Sequence, residues 1–192
     1  MTKPTLRLST AFEYARAAHE GQTRKGTDIP YISHVMSVSA LVMEHGGDEE
    51  QAIAGLLHDV LEDCGAEHEP IIRDRFGGRV AKIVRDLTDG VPDASGRKEP
   101  WRVRKERFLA RHETMDNESL LVSLCDKLHN ARTIAGDLRA GHQVFARFKE
   151  ANRDGVVWYY DELVRVFRLR LGKDDPLFRE FQRAVADIFE RA

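Results

Sequence analysis

The segment His58-Asp59-Val60-Leu61-Glu62-Asp63 concentrates an imidazole and three carboxylates in six residues. On an α-helix, His58, Asp59, Glu62 and Asp63 share one arc of roughly 140°. Ile53, Leu57, Val60 and Leu61 fill the opposite side. Acidic groups crowded in this way repel one another unless a cation or water lies between them. A solvated acidic face is the alternative, although acid towards a helix C-terminus opposes the helix dipole. Gly55 falls within the same arc, where the absence of a side chain lets another group approach. A second cluster lies in Leu124-Cys-Asp126-Lys-Leu-His-Asn130-Ala-Arg-Thr133. There Asp126, Asn130 and Thr133 share a face of roughly 60°. Asp126 follows the mostly apolar stretch Leu121-Val-Ser-Leu-Cys125, and a buried carboxylate needs a partner or a metal. His34, beside Ile32 and Val35, is a third candidate; a hydrogen-bonded core histidine is the alternative. Together His34, His58, Asp59 and Asp126 form a mixed nitrogen and oxygen set suited to a divalent first-row metal. Four protein ligands leave positions for water and substrate, as hydrolysis requires. Glu62 and Asp63, one turn further on, are near enough to orient or deprotonate a water.

The elements that must position these groups read as helices almost throughout. A first segment starts at Ser9 and stops at Gly21, and a second runs over about 32–45 before Gly46-Gly47. Asp48 is a good N-cap for a third, with Glu49 and Glu50 in the first turn, continuing without a break to about Cys64. Further helices are expected at roughly 67–76, 78–88, 100–114, 117–138, 143–151, 154–171 and 176–191. The stretch Asp89–Pro100 reads as a surface loop. The expected architecture is all-α, a compact bundle of about eight to ten helices forming a single domain over 1–192.

Composition narrows the function classes. Hydrophobic residues make up 42% and charged residues 32%, which excludes a disordered chain. The longest apolar runs fall short of a bilayer span, and no secretory h-region opens the chain. Net charge is −2, so no basic-tail argument for nucleic acid arises. Two cysteines, Cys64 and Cys125, are too few for a disulfide framework. A cytoplasmic protein with no membrane as partner, and with no charge argument for nucleic acid as one, is the expectation. Of 30 basic residues 22 are Arg, a side chain suited to phosphate, though codon bias explains the excess equally well.

Three local patterns are similar to the HD-domain metal-dependent phosphohydrolases, and more closely to the hydrolase domain of RelA/SpoT-type alarmone enzymes. They are Ala18-His-Glu-Gly-Gln-Thr-Arg24-Lys25-Gly with Pro30-Tyr-Ile-Ser-His34, Ala54-Gly-Leu-Leu-His58-Asp59-Val-Leu-Glu62-Asp63, and Asp126-Lys-Leu-His-Asn130-Ala-Arg132-Thr133. The resemblance covers roughly residues 7–140 and looks like a stand-alone small alarmone hydrolase, with no synthetase domain beside it. It implies that His34, His58, Asp59 and Asp126 hold a divalent metal, usually manganese. It implies that Glu62 and Asp63 activate the attacking water and that Asn130 contacts the reacting phosphate region. Arg24 and Lys25 match the basic pair that packs on the purine, and Thr133 and one of Tyr159 or Tyr160 are weaker matches to ribose or phosphate contacts. For Arg24-Lys25 taken alone, an exposed basic turn is the plainer reading. Lys98, Arg102 and Lys105 read as solvated charge. The implied activity is hydrolysis of the 3′-diphosphate of guanosine 3′,5′-bis(diphosphate). Adenosine analogues, NADPH, or binding without cleavage are the alternatives. Val35 replaces the family's Pro after the first ligand, and Cys64 stands where Thr is common, departures that bear on substrate choice.

Overall fold

The computed structural model describes residues 3–91, 97–148 and 150–191. In chain order the helices are α1 (Leu6–Ala18), α2 (Ile32–Glu44), α3 (Glu49–Leu57), α4 (Val60–Asp63) and α5 (His68–Phe76). There follow α6 (Gly78–Leu87), α7 (Trp101–Thr114), α8 (Asn117–Arg139), α9 (Asn152–Leu171) and α10 (Pro176–Phe189), with a 3-10 turn at Val144–Arg147. Among the described residues there is no strand, only an isolated bridge between Thr23 and Pro30. The all-α class expected from periodicity is the class observed. Residues 92–96 of the expected surface loop lie outside the described residues.

The chain packs as two compact units: Met1–Lys98 with Asp116–Cys125, and Glu99–Met115 with Asp126–Ala192. In the first, α3 is the central helix, packed by α1, α2 and α6. From Gln51 to Leu57 every residue of α3 is buried, the signature of a helix enclosed on all sides. Its start is a capping box: Asp48 accepts from the Gln51 backbone N–H, and the Gln51 side chain accepts from the Asp48 N–H. Helix α2 approaches closely at Gly55, where a Cβ would stand 3.1 Å from Ser39 Cα. What Gly55 admits is therefore the α2 backbone, and this contact fixes α2 against α3. In the second unit α9 packs on α7 and α10. Helix α10 starts at an Asp175 cap followed by Pro176 and buries Leu177, Phe178, Phe181, Ala184, Val185 and Ile188 at helical spacing.

Three expected boundaries differ. Helix α1 begins at Leu6 because the Thr5 side chain caps the Arg7 N–H. The stretch expected as a helix over 143–151 is only the 3-10 turn Val144–Arg147. Most consequentially, the expected unbroken helix from Asp48 to Cys64 is interrupted at His58-Asp59. Asp59 has φ −95° and ψ −4°, near the sparsely allowed bridge region, a departure from ideal helical dihedrals at the point where the helix is interrupted. The ladder resumes when the Asp63 N–H bonds back to the Asp59 carbonyl at 2.9 Å.

Candidate metal and carboxylate site

The hitch at His58-Asp59 sets the geometry of the site in the first unit. His34 enters from the first turn of α2 and is 1% exposed at its side chain; His58, at 2%, caps α3. Their rings meet edge to face with centroids 5.1 Å apart, and each offers a nitrogen within 4.8 Å of the other's. Asp59 Oδ2 lies 2.9 Å from His58 Nε2 and 3.5 Å from His34 Nε2. His58 Nδ1 sits 2.9 Å from the Gly55 carbonyl. A carbonyl can only accept, so Nδ1 carries a hydrogen and Nε2 is the nitrogen that faces the carboxylate. At that distance a proton or a cation must lie between Nε2 and the carboxylate oxygen. This donor set therefore fits a divalent ion, with the Gly55 carbonyl fixing the tautomer in the way metal-binding histidines are commonly held.

Tyr31 completes the arrangement. Its hydroxyl donates to Asp59 Oδ2 at 2.5 Å, and its ring packs edge-on against His34 at 5.5 Å. Burial first, then the Asp59 and Asp63 carboxylates, raise the Tyr31 pKa well above its ordinary value, so the hydroxyl remains a donor. Arg24 lies over the same ring at 5.5 Å. It belongs to a tight turn in which the Arg24 N–H bonds the Ile29 carbonyl at 2.8 Å and Gly26 takes φ +72°, a conformation that favours glycine. Lys25, on that turn, is exposed.

The acidic pair projects from α4. Glu62 accepts from Lys98 Nζ at 3.0 Å, and Asp63 accepts from Gln22 Nε2 at 2.8 Å. Burial first, then the Asp59 carboxylate, push the Asp63 carboxyl above its usual range, while the Gln22 hydrogen bond pulls it down. Lys98 is thus not the solvated charge expected: it is three-quarters buried and paired with Glu62.

In the second unit Asp126 is 4% exposed. It accepts from Asn130 Nδ2 and from Lys127 Nζ, both at 2.6 Å. The shared face expected for Asp126 and Asn130 is present as this i,i+4 bond. Thr133 bonds its hydroxyl to the His129 carbonyl at 3.0 Å. Tyr159 is buried beside Trp101, Trp158 and Lys105. Arg102 stacks 3.3 Å over Trp158.

Sequence reasoning passed over Tyr31, Gln22 and His19. All three stand inside the quoted motifs, and the available signal was positional. Tyr31 precedes His34 by three residues at a helix entrance, and His19 and Gln22 flank a glycine turn.

Comparison with known proteins agrees with these motifs. Residues 11–157 match the HD domain family model. A guanosine-3′,5′-bis(diphosphate) 3′-pyrophosphohydrolase of Aquifex aeolicus is 38% identical over 127 residues, covering 66% of this chain and 18% of that protein. The bifunctional (p)ppGpp synthase/hydrolase SpoT of Escherichia coli is 37% identical over 139 residues, covering 69% and 18%. The chain thus spans 18% of the length of each of these relatives. A solved structure of a metazoan SpoT ortholog, described as hydrolysing ppGpp with a role in starvation responses, superposes with a TM-score of 0.75. It is 26% identical, and the match covers 97% of both chains. Because the family model runs through α2, α3, α4 and α8, which carry all the His/Asp motifs, the chain belongs to the HD-domain family.

Proposed function

We propose that this chain is a metal-dependent phosphohydrolase that removes the 3′-diphosphate of guanosine 3′,5′-bis(diphosphate)-type nucleotides, releasing pyrophosphate and GDP or GTP. The observation that carries the reading is the convergence of buried His34 and His58 on Asp59, with the Glu62-Asp63 pair one turn beyond. The names of the relatives support the substrate class. On this reading residues 1–192 act as one hydrolase domain in the cytoplasm.

His34, His58, Asp59 and Asp126 would hold the ion, manganese by resemblance. Bound there, a divalent cation supplies Lewis acidity, making water more acidic and neutralising phosphoryl charge. Tyr31 holds the Asp59 carboxylate so that one oxygen faces the histidines. Glu62 and Asp63 take the proton of the attacking water as its oxygen bonds to phosphorus and the bond from phosphorus to the ribose 3′-oxygen breaks. The leaving ribose oxygen takes up a proton in turn. Asn130 faces the reacting phosphate, while Thr133 and Tyr159 serve as weaker ribose or phosphate contacts. Arg24, with its guanidinium over Tyr31, and Lys25 meet the purine.

The test incubates manganese-reconstituted protein with ppGpp, its adenosine analogue and NADPH in parallel and follows the products. Pyrophosphate release from ppGpp is expected. Asp59→Ala and Asp126→Ala should lose metal and turnover together, whereas Glu62→Ala should keep metal and lose about 100-fold or more in rate. Release of pyrophosphate from neither alarmone would overturn the substrate assignment, and phosphate release from NADPH alone would replace it.

A further inference from the structure

Behind the acidic pair stands a chain of polar groups for which the reaction itself has no use. Asp63 Oδ2 accepts from Gln22 Nε2 at 2.8 Å, and Gln22 Oε1 lies 2.7 Å from His19 Nδ1. His19 is 4% exposed, at the C-terminal end of α1, with its ring stacked on Tyr31 at 4.9 Å and 32°. The directions of these bonds follow from chemistry. A carboxylate only accepts, so the Gln22 amide must turn its NH2 to Asp63 and its oxygen to His19. An amide oxygen also only accepts, so His19 must carry its hydrogen on Nδ1. Its Nε2 is buried without a hydrogen-bond partner among the described residues. Under the Nδ1–H tautomer that atom is a bare lone pair, cheaper to bury than an N–H. One buried tautomer thus fixes one amide orientation, and that amide fixes one carboxylate.

We infer that His19 and Gln22 form a positioning relay that holds the Asp63 carboxylate in its working orientation. Gln22 is the direct holder, and His19 prevents the amide from flipping. Neither residue is a catalytic residue; both act through Asp63. The inference rests on the reading of Asp63 as a member of the water-activating pair. Three features give the relay its specificity. The Gln22–Asp63 bond joins residues 41 positions apart, so it is a tertiary constraint and not a local turn. A charged acceptor makes the bond stronger than a neutral one. The stack on Tyr31 places His19 behind the donor that holds Asp59 as well, so the imidazole braces both carboxylates.

The test uses the full chain loaded with manganese and measures kcat and KM for ppGpp in the wild type, Gln22→Leu, Asp63→Asn and the double variant. Gln22→Leu should lower kcat about 10- to 100-fold, the loss typical of a hydrogen bond to a charged group. KM should stay within about 2-fold and metal content should not change. The double variant should be no slower than Asp63→Asn alone, because the two residues act as one unit. His19→Leu should reproduce much of the loss. His19→Asn, whose amide can present an N–H where Nδ1 stands, should restore activity, and this pair serves if Gln22→Leu fails to fold. Wild-type kcat in Gln22→Leu while Asp63→Asn is impaired would overturn the relay and leave the Asp63 reading intact. Wild-type kcat in Asp63→Asn would overturn that reading itself. Independently of turnover, long-range 1H–15N spectra of the wild type should show His19 as the Nδ1–H tautomer; the Nε2–H tautomer would overturn the relay outright.

Discussion

Exchanging glycine for alanine at two helical positions should give opposite results, and the difference measures how tightly the site is built. At Gly55 in α3 the new Cβ would stand 3.1 Å from Ser39 Cα and 3.2 Å from Ser39 N in α2. Both are backbone atoms, so they yield only if the helix moves. At Gly136 in α8 nothing lies within 4 Å of the new atom. Each substitution gains about 0.5–1 kcal/mol of helix stability. Gly55→Ala also incurs an overpacking cost of roughly 1–3 kcal/mol, for a net loss of about 1 kcal/mol at the centre of both ranges and about 2.5 kcal/mol at most. At about 2–4 °C per kcal/mol for a chain of this size, the variant should melt roughly 2–4 °C lower, and about 10 °C lower at most. Gly136→Ala should melt about 1–4 °C higher. Since α2 carries His34 and α3 ends at His58, a shift of a few tenths of an ångström separates the two proposed metal donors. Manganese affinity should therefore fall in Gly55→Ala and not in Gly136→Ala. Differential scanning calorimetry with and without manganese makes the comparison. A Gly55→Ala protein that melts at or above the wild type and binds metal equally would refute the claim that this contact sets the donor spacing.

Other perturbations test separate parts of the structure. Burial lowers the His112 pKa from 6.5 to about 4; the ring is fully enclosed, with Phe108 and Phe167 against it. Below pH 6.5 the unfolded chain takes up a proton that the folded chain refuses, so stability falls by roughly 3 kcal/mol as the pH drops to about 4. Denaturant unfolding of His112→Leu should show a correspondingly flatter pH dependence over that window, and equal slopes would exclude the assignment. Tyr31→Phe removes the donor to Asp59 and should weaken manganese binding about 10-fold by isothermal titration; unchanged affinity would deny Tyr31 that role. Arg79 holds Asp48 at 2.7 Å, Glu50 at 3.1 Å and Glu118 at 2.8 Å. Arg79→Ala should destabilise by about 1 kcal/mol at low salt, with the difference shrinking in 1 M NaCl. A salt-independent difference would show that packing, not charge, is responsible.

Particular residues show how far the sequence alone reaches. Helical period, the Asp48 cap and the apolar face of α10 are local properties, and period and local capping chemistry determine them without reference to the rest of the chain. The same holds for the types and order of His34, His58-Asp59, Glu62-Asp63 and Asp126-Asn130, which suggest the proposed chemistry because few other side chains suit a divalent ion or proton transfer from water. Three things were decided only by tertiary structure. The α3 ladder breaks at Asp59, where helical period alone favours continuation. Lys98 meets Glu62 across 36 positions, and Gln22 meets Asp63 across 41; such pairs leave no trace in periodicity because they exist only once distant segments pack. Gly55 reads in sequence as an opening for any group, and only the packed structure shows that the α2 backbone fills it. Sequence specified which groups are candidates to act, through their intrinsic chemistry; folding specified which neighbours hold and tune them, because burial and contact depend on the whole chain.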